Sequence, residues 1–341
     1  MMWLTWRQFR GQALAAVCAM VVIAAYLAYL GGDIRDAYDA HQTICRDRAD
    51  CARATSQFRG AYQNTLLFLA TGLALIPAVI GTFWGAPLLA RELENGTHRL
   101  AWNQSVTRPR WLIGKVLLVG SAAVLVTGTA SALLTWAARP FDEVVKEEFS
   151  TFVFGARGIV PIGYAALALT LGIVAGLLLR RTLPAMAVTL VVFLAFQFFF
   201  PNVVRPALIP PERATLAMTA TAINGAQNLG GIGGGSVIGG VRIPDAPDAW
   251  IAGTSPLRTP DGRTLGGPEF NACLDSPPRT GAGGTFGDTA VCLAGHDLHI
   301  DVRYHPSSRY WAFQWLETAI YLALSGVLTA FAVRRIRRRV S

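Results

Sequence analysis

A chain of 341 residues that is 52% hydrophobic and only 15% charged, with a mean hydropathy of +0.40, is too apolar for an ordinary soluble domain, in which roughly a quarter of residues carry charge. Its net charge of +9 would suit a nucleic-acid binder, but the bases gather at the ends of apolar segments, so nucleic acid is excluded as a partner. Spanning a bilayer takes about 20 apolar residues, and six segments qualify: Gln12–Leu30, Thr65–Trp84, Trp111–Trp136, Gly158–Leu179, Leu183–Phe200 and Trp311–Val333.

The first segment follows only a short run containing Arg7 and Arg10. Its apolar stretch exceeds a signal-peptide core and no A-x-A site follows, so a retained helix is predicted. Gly31–Gly60 is then a polar loop carrying Cys45 and Cys51. Pro77 interrupts the second segment. Proline removes a helical hydrogen bond and clashes with the preceding turn, which predicts a kink. That kink is either a hinge or cavity wall, or plain packing.

The loop 85–110 carries Arg91-Glu92-Leu93-Glu94-Asn95-Gly96-Thr97-His98-Arg99 and then Leu100, Trp102, Arg108 and Arg110. Apolar residues mixed with charges in this way suit a short interfacial helix. Ala137–Arg157, with Asp142, Glu143, Glu147 and Glu148, reads as a second polar loop with a surface helix.

Pro201–Arg309 is long enough for a small domain. Glu212–Asn228 reads as helical, and the glycine tract from Gly225 to Gly240 as having little fixed structure. Ala249–Ile251, Val291–Leu293 and Leu298–Tyr304 read as strands between Pro- and Gly-rich turns. On the last, His299, Asp301, Arg303 and His305 share one face. His299 and His305 would lie about 20 Å apart, too far for one ion, so a solvated strand face accounts for them and no metal site is assigned. Cys273 and Cys292 share this segment. Local disulfides Cys45–Cys51 and Cys273–Cys292 are expected in an oxidising compartment. Reduced pairs or a metal site are the alternatives, though neither pair has C-x-x-C spacing.

Glu317 is the acid set well inside the sixth segment, and Gln314 lies one turn before it. Intramembrane carboxylates are costly and face a partner or an aqueous cavity. Glu317 is therefore either part of a substrate path or gate, or a structural hydrogen-bonding group near an aromatic belt of Trp311 and Trp315.

With alternating spans and the N-terminus in the cytoplasm, the cytoplasmic parts hold 14 bases against Glu92 and Glu94 alone. Both termini are thus expected in the cytoplasm, with the Arg334–Arg339 cluster beside anionic lipid. The fold class is an all-α polytopic membrane protein: six transmembrane helices, a short cytoplasmic coupling helix, and a mixed, partly β extracytoplasmic insertion before the last span. The expected domains are 1–200, with spans one to five, 201–309, the external segment, and 310–341, the last span and basic tail. No Gly-x-x-x-x-Gly-Lys-Ser/Thr loop, Gly-x-Ser-x-Gly elbow or His-Glu-x-x-His helix occurs, so no catalytic, cofactor-binding or metal-binding residue is assigned.

The topology, the run Arg91-Glu92-Leu93-Glu94-Asn95-Gly96-Thr97 with Leu100-Ala101-Trp102-Asn103-Gln104-Ser105-Val106, and the entry Tyr304-His305-Pro306 to Glu317 together resemble an ABC-2-type permease. The second stretch is similar to an actinobacterial subgroup. The resemblance implies a permease subunit of an ATP-binding-cassette exporter in a bacterial cell membrane, not itself an enzyme. Its partners would be a separate ATPase subunit holding ATP and Mg, a second permease copy, and membrane lipid. The loop would dock on that ATPase, placing Arg91, Glu92, Glu94, Gly96, Thr97 and Arg99 at a coupling surface. A hydrophobic or amphipathic cargo, a drug, antibiotic or lipid, suits spans with one buried acid. The alternatives are a secondary transporter, which normally shows several intramembrane ionisable groups and repeated halves, or a membrane-anchored sensor or envelope-assembly protein with an external binding module.

Overall fold

A computed structural model describes residues 2–46, 50–96, 107–145, 149, 151–232 and 235–339. The chain divides into two compact units, one of Met1–Arg205 with Trp311–Ser341 and one of Pro206–Tyr310. Among the described residues, six helical stretches are long and apolar enough to cross a membrane: Phe9–Cys45, Arg53–Glu94, Arg108–Val145, Val160–Leu179, Thr182–Leu208 and Ser307–Arg338. The protein is a polytopic helical membrane protein with small sheets in its C-terminal part.

In the first unit, helix α1 (Met2–Cys45) runs well past Leu30. The polar loop expected from Gly31 is therefore a helical extension, joined to α2 (Cys51–Ala74) by the Cys45–Cys51 disulfide. Gly31 is required by contact rather than by a turn, because a Cβ there would meet the Trp136 ring at 2.7 Å. The second span is built in pieces. After α2 come α3 (Ile76–Ile80), a π-helical turn over Gly81–Gly85, and α4 (Ala86–Glu94). Pro77 sits in the first turn of α3, where its missing N–H costs nothing. Pro87 follows the π turn on continuous helical backbone, and the Phe83 carbonyl four residues back accepts from Gln12 Nε2 at 2.8 Å instead.

Helix α5 (Arg108–Val145) continues beyond Trp136 with Pro140 inside it. The separate surface helix expected over Ala137–Arg157 is mostly this continuation, followed by the short α6 (Thr151–Ala156). Pro140 lacks the N–H that would bond the Trp136 carbonyl four residues back, and Arg35 Nη2 donates to that carbonyl instead, at 2.8 Å. The polar ends are also paired, since Arg157 Nη1 meets Asp142 Oδ2 at 2.6 Å.

Helix α7 (Val160–Leu179) is the most enclosed span, with buried residues around its whole circumference. Its Gly172 and Gly176 face Gly81, Gly85 and Ala86 of the second span so closely that a Cβ at Gly81, Gly85, Gly172 or Gly176 would strike opposing backbone. Small residues that let helix backbones approach are how helices associate in lipid, where apolar side chains have no water to escape. α8 (Thr182–Phe199), a π turn over Phe200–Val204, α9 (Arg205–Leu208) and α13 (Tyr310–Arg339) complete the membrane elements.

The second unit is a three-stranded antiparallel sheet, a two-stranded one and three short helices. In the sheet, β5 (His299–His305) is central between β1 (Glu212–Ala217) and β4 (Trp250–Thr254). Ile300 and Val302 of β5 are fully buried with Met218, Ile223, Phe270 and Leu293. The helix expected over Glu212–Asn228 is replaced by β1 and the five-residue α10 (Ala220–Asn224). Its apolar alternation at Ala214 and Leu216 pairs in register with Val302 and Ile300. Among the described residues, the glycine tract pairs as β2 (Asn228–Ile232) and β3 (Gly235–Gly239), since glycine's missing side chain does not prevent ladder pairing. Val291–Leu293 is not a strand but the end of α12 (Gly287–Ala294). The Cys273–Cys292 bond ties it to α11 (Gly267–Asp275).

Candidate functional site

Two polar constellations stand out in the first unit, and the sequence picks out one half of each. Glu317, in α13, is fully buried and meets Arg205, itself 1% exposed. Arg205 Nε donates to Glu317 Oε2 at 2.7 Å and Nη2 to Oε1 at 3.0 Å. Two hydroxyls complete the shell: Tyr164 Oη donates to Oε1 at 3.0 Å and Tyr321 Oη at 2.6 Å. The guanidinium lies over Phe154, 4.1 Å from the ring centroid, and the two tyrosine rings stack at 4.6 Å. Taking two charges out of water costs several kcal/mol per ion. A bidentate pair with extra donors recovers that cost through short, charge-assisted bonds.

Arg205 is the residue that the sequence reading misses, because it follows the fifth apolar segment and counts there among external bases. The π turn over Phe200–Val204 and the first residue of α9 carry it back into the first unit. The available signal was Glu317 itself, since a carboxylate at that depth demands a cation.

Gln314 does something different. Its Oε1 accepts from the backbone N–H of Ile159 and Val160, both at 3.0 Å, and its Nε2 donates to the Phe154 and Arg157 carbonyls at 3.3 Å. It thereby satisfies N–H groups that a helix start leaves open. Gly158, at φ +68°, provides both the left-handed turn and the space, as a Cβ would lie 2.5 Å from Gln314 Oε1.

Tyr164 also lines a mostly apolar cavity of about 380 Å³, with Thr71, Ala74, Leu194, Gln197 and Phe198 on its wall. Gln197 Nε2 donates to the Ala74 carbonyl at 2.7 Å, beside the break between α2 and α3. Tyr164 thus connects this cavity to the Glu317 and Arg205 pair. Pro77 stands in α3 and is not on the cavity wall.

The second constellation is at the far end of the second span. Arg91, Glu92 and Glu94 fall in the last turns of α4, and Gly96 follows at φ +71°. Thr97 and Arg99 lie outside the described residues. Glu92 Oε1 accepts from Lys115 Nζ of α5 at 2.5 Å, and Lys115 is 3% exposed and sits 4.7 Å from the Trp111 ring centroid. Glu94 Oε2 accepts from the backbone N–H of Thr182 at 2.9 Å and from its hydroxyl at 2.7 Å. That carboxylate caps the start of α8, where a negative charge also complements the helix dipole. Arg91 is exposed. The end of α4 is therefore fastened to the beginnings of both α5 and α8.

His41 lies 3.4 Å from Cys45 Sγ, and His296 lies 3.9 Å from Cys273 Sγ. In both groups the cysteines are joined as disulfides, which leaves no thiolate to ligate a metal.

The family model described as "ABC-2 membrane transporter related" matches residues 17–205, more than half of the chain. No curated protein and no solved structure matches it. The matched region ends at Arg205 and includes Tyr164, Glu92, Glu94, Lys115 and Thr182.

Proposed function

This chain belongs to the ABC-2 membrane transporter related family, and we propose that within it the chain is the permease of an exporter driven by a separate ATPase. Two permease copies, identical or related, pair with two ATPase subunits that bind ATP and Mg. Both termini and the 85–110 loop lie on the cytoplasmic side of a bacterial cell membrane, and 206–310 lies on the other. The cargo is hydrophobic or amphipathic.

The observation that carries this reading is the double fastening of α4. Glu92 holds Lys115 at the start of the third span, and Glu94 holds Thr182 at the start of the fifth. A force applied to the loop following Gly96 reaches both spans through short charged contacts. A slack connector would absorb it. The broken second span, with a π turn between α3 and α4, supplies the place where such a displacement bends the helix rather than translating it. The cavity beside Tyr164 is apolar apart from a few hydroxyl and amide groups, a lining that suits an amphipathic molecule better than an ion.

The test is reconstitution. The chain is co-purified with the ATPase encoded beside it, placed in proteoliposomes, and assayed for ATP turnover and for movement of a lipophilic dye. A stable complex whose ATP hydrolysis drives vectorial dye movement is expected. Failure to form a complex with any ATPase overturns the reading.

A further inference from the structure

The exposed face of the three-stranded sheet in the second unit carries a charge pattern that sheet packing does not explain. In the register of β1 and β5, Arg213 stands directly opposite Arg303, and Thr215 opposite Asp301. Like charges directly opposed across strands destabilise a sheet. A third arginine, Arg258, bridges to His299 from the segment after β4. The three arginines line one cleft of about 610 Å³ with Thr215, Thr254 and Asp301.

One acid, Asp301, lies in this cluster, and of the three arginines it pairs with Arg258 alone. Asp301 Oδ1 accepts from the Thr215 hydroxyl at 2.9 Å, and Oδ2 lies 3.5 Å from Arg258 Nη1. Among the described residues, Arg213 and Arg303 have no ion-pair partner. Arg258 Nε is closed off from solvent and has no hydrogen-bond partner. The backbone also makes room for the cluster: a Cβ at Gly253 would lie 2.9 Å from Arg303 Nη2, so the glycine lets that guanidinium lie against the strand.

We propose that this cleft binds a phosphate-bearing ligand. A carboxylate offers two oxygens in one plane, whereas a phosphate presents three or more oxygens in a non-planar array. Guanidinium groups converging from three separate segments match the second shape. A cleft of this volume falls within the range of roughly 300–1,000 Å³ typical of small-ligand sites. The same phosphate chemistry is offered by a phospholipid headgroup and by a soluble phosphate ester.

The experiment uses the full chain in maltoside micelles, in phosphate-free buffer at constant ionic strength. Glycerol 3-phosphate and short-chain phosphatidylglycerol are titrated separately, with citrate as a polycarboxylate control. Hydrogen exchange over Glu212–Ala217 and His299–His305 reports occupancy. Slowed exchange with glycerol 3-phosphate supports the site and identifies a soluble ester as sufficient. Slowed exchange with phosphatidylglycerol alone supports it and identifies a headgroup as the source.

Arg213→Gln with Arg303→Gln is expected to weaken the apparent affinity about tenfold or more, at an unfolding temperature no lower than the natural chain's, because both side chains are exposed and their opposed charges are relieved. The corresponding double lysine variant, which keeps the charge but loses the fork, is expected to fall between the two. No protection by either phosphate probe overturns the proposal. So does equal protection by citrate, or undiminished affinity in the double glutamine variant.

Discussion

Arg205 and Glu317 are 112 residues apart in the chain and meet through two hydrogen bonds of 2.7 and 3.0 Å, with neither side chain more than 1% exposed. The pair closes the fifth span onto the sixth. A buried pair of this kind is revealing under mutation because the cost of breaking it differs from the cost of replacing it. Removing one partner leaves an uncompensated buried charge, worth about 3–5 kcal/mol, while an apolar replacement of both is often close to neutral. Arg205→Met and Glu317→Leu are each expected to lower the thermal unfolding temperature of the purified chain sharply. The double variant is expected to recover most of the loss. A double variant no better than the worse single one would show that Tyr164 and Tyr321, not Arg205, are the partners that matter to Glu317.

The fastening of α4 predicts a separation between assembly and coupling. Lys115→Met leaves Glu92 in place but removes its cation, and Thr182→Val removes the hydroxyl that Glu94 accepts. Neither residue is on the exposed loop, so the complex with the ATPase is expected to persist in both variants. Transport per ATP hydrolysed is expected to drop, more so in the double variant than in either single one. ATP turnover and dye movement measured on the same proteoliposomes give that ratio. An unchanged ratio in the double variant removes the mechanical role from these contacts.

The close approach of α7 to the second span gives a simpler prediction. Gly172→Ala places a methyl group against the Gly81 carbonyl and the Ala86 nitrogen, where only backbone is available to move. Overpacking of this kind costs about 1–3 kcal/mol. Gly114→Ala, at a glycine with nothing within 4 Å, is the control and is expected to be neutral. Unfolding temperatures of the two variants in the same detergent provide the comparison.

The spans were legible because hydrophobicity sustained over about 20 residues has one physical reading in a bilayer. Their ends were not. Gly31 and Ala137 begin polar stretches, yet both lie inside helices, since Gly31 is chosen for its contact with Trp136 and the helix around Ala137 is carried on by packing. Glu317 could be read as a group in need of a partner, but Arg205 could not be read as that partner from charge and position alone. The error over Glu212–Asn228 has a related cause. Its local propensities suit a helix, and the pairing of Leu216 with Ile300 that overrides them comes from 84 residues further along. In the loop 85–110, the family resemblance implies a coupling surface at Glu92 and Glu94, while their contacts with Lys115 and Thr182 join residues 23 and 88 positions apart and are not legible from the loop alone.

Arg35 and Pro140 form a second pair that mutation can test against itself. The Trp136 carbonyl, orphaned by Pro140, is satisfied by Arg35 at 2.8 Å. Arg35→Met is expected to cost about 1 kcal/mol for the lost bond, beyond any loss of its stacking on Trp136 at 4.0 Å. Pro140→Ala restores an N–H to that carbonyl, so it is expected to destabilise less, or even stabilise, in the Arg35→Met background than in the natural one. A double-mutant cycle on thermal unfolding measures the difference, and strict additivity would contradict the account.

His305 and Asp288 make the stability of the second unit depend on pH in two separate windows. His305, in β5, is fully buried, and that burial holds its imidazole below the usual value of 6.5. The folded state therefore keeps it neutral while the unfolded chain takes up a proton. The corresponding stability is present above about pH 6.5 and is lost as the pH falls below it. Asp288, in the first turn of α12, accepts the Thr280 hydroxyl and the backbone N–H groups of Thr280 and Ala282, and these bonds hold its carboxyl below the ordinary aspartate value. Its contribution is also present at neutral pH, but it is lost only at lower pH, as the carboxylate takes up its proton. The protection factor, which is exchange corrected for its intrinsic pH dependence, is thus expected to fall across β4 and β5 in the full chain as the pH drops below about 6.5, and around Thr280–Asp288 only below about pH 4. His305→Phe, which keeps a ring against Trp250 at 5.1 Å, is expected to abolish the first step and leave the second. Persistence of the upper step in that variant would assign it to another group.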